Sequence, residues 1–451
     1  MDTNSDAMKL ALRVAERLGN LDIIGAGPGP DGSGEYPPAT LSGGDLGVAL
    51  ALLHAGEALD DEVHLSAAHT LLRRAARSTA HRPLKHPGLW TGTAGFAWVL
   101  AEFTRREPRY LGTLHRVATD LSAQVLAEPL HVPSRKLYDY DMVSGSAGQL
   151  AALLAVADVA DAADEDLRTA LRKAAEHLVE HLMAVTSLDE DGLPLWFVPP
   201  HLYSHVEWRT ASQPHGFYDL GFAHGLPGVL AALCRAEAEG YGGGAIPGRV
   251  AEITGWLARL ALRDETGPSW PAAFPVRPGT REPMIESVAP GRAAWCYGPE
   301  GVTAALLPAA VTIGAPDVYA DAVAALERAA RTPSRERGCF SPTLCHGHAG
   351  LLTMYTRAHT QTGRPAFAAA RDTQVAELEA LADDEHAFIF ADEPERGSII
   401  QNRGLLEGAA GVMLALLGAA GAVQWDEILL LTPAGSGVMA GTARAGERAA
   451  P

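Results

Sequence analysis

Residues 341–352 read SPTLCHGHAGLL, an adjacent thiol and imidazole (Cys345, His346) followed by Gly347-x-x-Gly350 and an apolar run. The glycine pair with its apolar run recurs. GGDLGVALALL, TGTAGFAWVLA, SGSAGQLAALL, HGLPGVLAALC, YGPEGVTAALL, HGHAGLLTMYT and EGAAGVMLALL make seven copies, spaced from about 48 to about 80 residues apart. Their paired glycines are Gly44/Gly47, Gly92/Gly95, Gly145/Gly148, Gly225/Gly228, Gly298/Gly301, Gly347/Gly350 and Gly408/Gly411. Each interval can hold a helix pair with its loops, so the chain reads as a repeat protein.

Between the copies lie segments of a second kind, such as DEVHLSAAHTLLRRAARS, DEDLRTALRKAAEHLVEHLMAV, GRVAEITGWLARLALR and DVYADAVAALERAART. These carry one polar face at helical spacing, as outer helices do, whereas the post-glycine segments are apolar nearly all round, as buried helices are. Counting the N-terminal segment, there are seven of each kind. Their alternation predicts an all-α fold, an α/α toroid of seven hairpins and fourteen helices. Closure would bury the ends that an open solenoid must cap. The expected boundaries are one toroid domain over 1–431, with rim elaborations near 188–217 and 268–290, and a disordered tail over 432–451. The glycines have two readings: close approach of the inner helices, and the positive φ that a tight entry turn needs.

Composition narrows the function. At 451 residues with 20% charged residues the chain can bury a large core, and its net charge of −18, from 36 Lys and Arg against 54 Asp and Glu, leaves no basic patch for nucleic acid. No apolar run reaches the length of a membrane span, and the N-terminus is acidic where a signal peptide needs positive charge. The expected location is cytoplasmic. Four cysteines are too few for a disulfide framework in a chain of this size, and the cytosol keeps them reduced, available for metal or catalysis. Gly27-x-Gly29-x-x-Gly32 has dinucleotide-fingerprint spacing but no following helix, so it is read as a linker.

Equivalent positions in a closed repeat should project from the same rim. Two residues before the first glycine stand Cys296 in the fifth copy and Cys345 in the sixth. One residue before it stand His224, Tyr297 and His346 in the fourth to sixth. Thiolates with imidazole favour tetrahedral Zn²⁺, so Cys296, Cys345 and His346 are the expected ligands, with a fourth position open to water or substrate. Cys234 and Cys339 are read as structural.

The segments LGFAHGLPGV, RAAWCYGPEGV and LCHGHAGLL closely resemble the signature segments of the LanC-type lanthipeptide cyclases, and DMVSGSAG and LLEGAAGV resemble that family's further repeat motifs. The resemblance spans all seven copies. It implies a zinc-dependent enzyme that adds peptide cysteine thiolates to dehydroalanine or dehydrobutyrine in a dehydrated precursor peptide, closing thioether rings, with a lanthipeptide dehydratase as a further partner. It also implies roles: His224 as the acid that protonates the enolate, Arg292 as its stabilising cation, Asp141 orienting or charging His224, and Tyr297 in proton transfer or hydrogen bonding. The short stretch between the second and third copies leaves no space for the β-containing domain that some bacterial members insert there, which turns leader-peptide recognition to the rim loops or to a partner. Two other readings remain: a LanC-like enzyme that adds glutathione to dehydroamino acids, and a non-catalytic zinc toroid that scaffolds a peptide-modification complex.

Overall fold

The computed structural model describes residues 3–22, 36–160, 164–265, 267–286 and 288–431. The Gly27–Gly32 stretch and the C-terminal tail therefore lie outside the described residues. Among the described residues, fourteen helices of seven or more residues alternate between two rings. The inner ring holds α2 (Asp45–Leu59), α4 (Thr93–Arg106), α6 (Ser146–Ala157), α9 (Leu226–Ala238), α11 (Pro299–Thr312), α13 (His348–Thr362) and α15 (Ala409–Ala419). The outer ring holds α1 (Thr3–Gly19), α3 (Glu62–His81), α5 (Leu111–Ala127), α7 (Glu165–Val185), α10 (Ile246–Arg259), α12 (Pro316–Arg331) and α14 (Pro365–Leu381). A six-residue α8 (Glu207–Ser212) sits in the rim. Inner helices touch in the order α2, α4, α6, α9, α11, α13, α15 and back to α2. The seventh hairpin is completed by the first and last of these helices, α15 against α1. This is the α/α toroid that the repeat pattern predicts.

In each repeat the first glycine is the N-cap of an inner helix. The cap has no side chain to offer, so the loop ahead of it satisfies the orphan first-turn amides. Thr93 donates to His86, Ser146 to Asp139, His348 to Ser341 and Ala409 to Asn402, in each case seven residues back, at 2.9–3.1 Å. Folding the loop over the helix end leaves no room for a β-carbon on the second glycine. One built there would lie 2.0 Å from the Leu405 carbonyl at Gly411 and 2.2 Å from the Leu344 carbonyl at Gly350. Close approach is thus the general reason for the glycines. Positive φ is needed at only one of the seven caps, Gly298 (φ 101°).

The same loops tie the repeats together. Backbone N–H groups donate from Ser42 to Trp90, Trp90 to Val143, Met142 to Ala223, Ala223 to Cys296, Cys296 to Cys345, Cys345 to Leu406 and Leu406 back to Ser42, at 2.9–3.3 Å. The two site cysteines are members of this closed circuit. One position earlier in each copy stand Leu41, Leu89, Met142, Phe222, Trp295, Leu344 and Leu405, all fully buried. They form an apolar layer beneath the rim. Trp295 packs on Trp90 and Phe222, with ring centroids 6.1 and 5.6 Å apart.

The long segments near 188–217 and 268–290 contribute short strands. β1 (Phe217–Asp219) pairs antiparallel with β4 (Ala273–Pro275), and β2 (Leu262–Asp264) with β3 (Gly267–Ser269). No helix among the described residues is long and apolar enough to cross a membrane.

Candidate active site

The residue just before each first glycine sits one step off the hydrogen-bonded circuit. In copies three to seven these residues are Ser144, His224, Tyr297, His346 and Glu407. Ligand atoms of Cys345, His346 and Glu407 lie within 4.8 Å of one another. Cys296 joins from the fifth copy: its thiol hydrogen-bonds the Cys345 thiol, which, with the charges of His346 and Arg292, outweighs burial and brings Cys296 down to about 6. Sharing that proton and being buried hold Cys345 well above its ordinary value. The pair therefore gives up one proton readily and keeps the other. Burial pushes Cys234 and Cys339 each up to about 12, so neither supplies a thiolate near neutral pH.

His346 is fixed from behind. Its Nε2 lies 3.1 Å from Asp392 Oδ1, which in turn accepts from Ser341 Oγ at 2.8 Å. A carboxylate on one ring nitrogen sets the tautomer and leaves the other, Nδ1, as a lone-pair donor. Burial works against a charged His346, but the bond to Asp392 and the Cys296 charge raise its pKa. Burial also raises Glu407, opposed by the His346 charge. Two thiols, an imidazole and a carboxyl, with Cys296 and His346 buried and Cys345 and Glu407 half-buried, are a donor set that suits a soft divalent cation, zinc above all. Where the sequence leaves a fourth position open to water or substrate, Glu407 stands beside the cluster. Its signal was its register, the same as that of His346 one copy earlier. The second histidine of Cys345-His346-Gly347-His348 turns elsewhere: His348 Nδ1 bonds Gln374 Oε1 of α14 at 2.8 Å.

His224 Nδ1 lies 2.6 Å from Asp141 Oδ2. Asp141 is fully buried, and its Oδ1 accepts the backbone N–H groups of Val143, Ser144 and Gly145 at 3.1, 2.7 and 2.7 Å. Burial alone would lower the His224 pKa. The bond and charge of Asp141, with the charges of Asp219 and Cys296, more than offset it and raise the imidazole above its ordinary 6.5. Nε2 is then the N–H available to a bound molecule. The Tyr138 ring lies over His224, with centroids 4.4 Å apart.

The Tyr297 ring lies beside His224, tilted at 39° with centroids 6.4 Å apart, and its hydroxyl is bonded elsewhere. Its hydroxyl donates to Asp219 Oδ2 at 3.1 Å and accepts from Arg209 Nη2 at 3.2 Å. Burial and the Asp219 charge raise its pKa well above the ordinary value, so Tyr297 keeps its proton. Arg209 comes from α8 in the rim segment and is almost fully buried, stacked on Trp208 and Phe217. Neither Arg209 nor Asp219 belongs to a repeated motif, which hid both from sequence reasoning. The charge of Arg292 acts on both Cys296 and Cys345, and its buried Nε has no hydrogen-bond partner among the described residues.

The family model described as "Lanthionine synthetase C-like protein" matches residues 36–430. The chain belongs to the lanthionine synthetase C-like family. A relative within reach of this lanthionine synthetase C-like chain is the "Nisin biosynthesis protein NisC" of Lactococcus lactis subsp. lactis, 22% identical over 321 residues, spanning 70% of this chain and 73% of that protein. The solved structure of "Nisin cyclase" superposes with a TM-score of 0.72 at 21% identity, covering 88% of this chain and 93% of that one, which shows the shared fold.

Proposed function

We propose that the protein is a zinc-dependent cyclase that adds cysteine thiolates of a precursor peptide to dehydroalanine or dehydrobutyrine in the same peptide, forming (methyl)lanthionine. The observation that carries this reading is the meeting at one rim of a thiol–imidazole–carboxyl cluster and a separate, carboxylate-held imidazole, in adjacent copies of one repeat. Cys296, Cys345 and His346 would hold the zinc, with Glu407 alongside. Bound there, zinc supplies the positive charge that turns a peptide thiol, with an ordinary pKa of about 8.5, into a thiolate at neutral pH.

The chain's own groups account for the remaining protons and charge. Glu407, beside the cluster, would accept the proton that the thiol gives up. As sulfur bonds to the β-carbon, the double-bond electron pair moves onto the carbonyl oxygen. The guanidinium of Arg292, whose charge already acts on both site thiols, would stabilise that enolate. His224 Nε2–H then protonates the α-carbon, while Asp141 holds Nδ1 and keeps the imidazole charged. Tyr297, with its proton retained between Asp219 and Arg209, positions by hydrogen bonding. The addition changes no mass, and its substrate must come from a dehydratase acting on serine or threonine.

The test pairs a dehydrated peptide carrying one cysteine with the zinc-loaded protein in the presence of glutathione. The account expects the peptide's own thiol to close the ring, about one zinc per chain in the wild type, and zinc loss in Cys296→Ala and Cys345→Ala. Preferential glutathione adducts would favour the glutathione-adding alternative. Full zinc in both variants would remove the ligand assignment.

A further inference from the structure

A cleft of about 210 Å³ opens beside Tyr138, whose ring lies over His224. Its walls include Leu130, Lys136, Leu137, Tyr138, Ser144 and His86. Two of these residues also contact the acid's machinery. The Tyr138 ring is the partition between cleft and His224, and the Ser144 N–H holds the Asp141 carboxylate that holds His224. The cleft is built before any ligand arrives. Asp139 Oδ2 fixes the turn by accepting from Arg135 and Lys136 N–H groups at 2.8 and 3.0 Å, and Lys136 Nζ pairs with Glu128 at 3.0 Å. His181 uses both ring nitrogens, on Ser146 Oγ and the His131 carbonyl, to close the back wall.

The order around the ring gives this cleft a meaning. It lies in the second and third repeats, His224 in the fourth, and the thiol–imidazole–carboxyl cluster in the fifth to seventh. A peptide laid along this order, with its cysteine at the cluster and its dehydroamino acid at His224, carries its chain beyond the dehydroamino acid to the cleft. We infer that the cleft is a substrate subsite for the peptide residues flanking the dehydroamino acid on the side away from the attacking cysteine. Tyr138, 37% exposed, is its lip and its contact with the reacting residue. The volume corresponds to about seven waters, room for one or two side chains. Leucine-sized groups fit a wall of Leu130, Leu137 and the Tyr138 ring. The inference rests on the cyclase reading for the identity of its occupant.

The probe is a set of fluorescently tagged synthetic peptides with one dehydroalanine and one S-methylcysteine, so that binding is read without ring closure. They are extended by zero to three leucines on the dehydroalanine's far side. On the zinc-loaded protein, fluorescence anisotropy should show Kd tightening about tenfold with extension. Leu137→Trp and Leu130→Trp each add bulk to the cleft at a different lining residue. In both, with melting temperature and zinc content checked, the gain should shrink to less than about twofold. An equal gain in the filled variants, or no gain in the wild type, would overturn the subsite. The same peptides with a free cysteine report ring closure separately. Cleft-dependent binding without closure would sink the cyclase reading and leave the subsite standing.

Discussion

His224 and Asp141 stand 2.6 Å apart from neighbouring repeats, and most of what the site can do with a proton follows from that pair. His224→Asn should keep its zinc and its melting temperature yet close rings slower by a factor of about 10²–10⁴, the usual span of general acid catalysis. Zinc loss in that variant, measured on the same sample, would make His224 a ligand. The pH dependence has a definite sign. With the imidazolium as the proposed acid, the rate should hold below its raised pKa and fall as pH rises through it. Asp141→Asn keeps an acceptor but removes the charge, so the alkaline limb of the pH–rate profile should move to lower pH; an unmoved limb would assign it to another group. Arg209 bonds to Tyr297 and pairs with Asp219 at the edge of the centre. If its role is to hold the Tyr297 hydroxyl, Arg209→Ala and Tyr297→Phe should each slow turnover and the double variant should be no slower than the worse single one. Additive losses would give Arg209 a role of its own. At this scale the sequence exposes what repeats expose. Cys296, Cys345, His346 and His224 announce themselves by register, and Glu407 shares that register but stands in a copy with no cysteine or histidine beside it. Arg209, Asp219 and Asp392 lie in non-repeating segments, and only the fold brings them to the rim.

The inner helix with its glycine pair is the element that sets all of these positions. A methyl group at Gly411 would sit 2.0 Å from the Leu405 carbonyl and 3.0 Å from the Leu344 β-carbon of the preceding copy, so the loop would have to lift off the helix end. Gly411→Ala should cost at least about 1–3 kcal/mol, the range for forced overpacking. Gly255 lies in the interior of α10 with only the tip of Arg259 near a built β-carbon, at 3.5 Å. Gly255→Ala should raise stability by about 0.5–1 kcal/mol through helix propensity. Thermal or urea unfolding of both variants separates the two kinds of glycine. Equal effects would mean that the motif glycines serve propensity alone. The helices were legible because burial on all sides and burial on one side leave different periodicities. The short β1–β4 pair was not, since three-residue strands carry no periodic signal of their own.

Across the whole molecule, closure does two things at once. It lets α1 and α15 pair across the full length of the chain, and it brings loops from seven separate stretches into one hydrogen-bonded circuit. A buried ion network reinforces the seam: Asp45 of the first repeat binds Arg403 ahead of the last at 2.9 Å. The rim gathers thiols, imidazoles and two guanidinium groups into a small volume. A closed ring can present a metal-type cluster, an acid and a cleft in fixed order to one extended peptide, which is the central claim. Its most direct test counts free thiols. A dehydrated peptide with a single cysteine is incubated with the zinc-loaded protein, alkylated and weighed by mass spectrometry, because ring closure alone leaves the mass unchanged. The account predicts that the peptide escapes alkylation with wild type and is fully alkylated with Cys345→Ala. A peptide that remains fully alkylated after incubation with zinc-loaded wild type would contradict it.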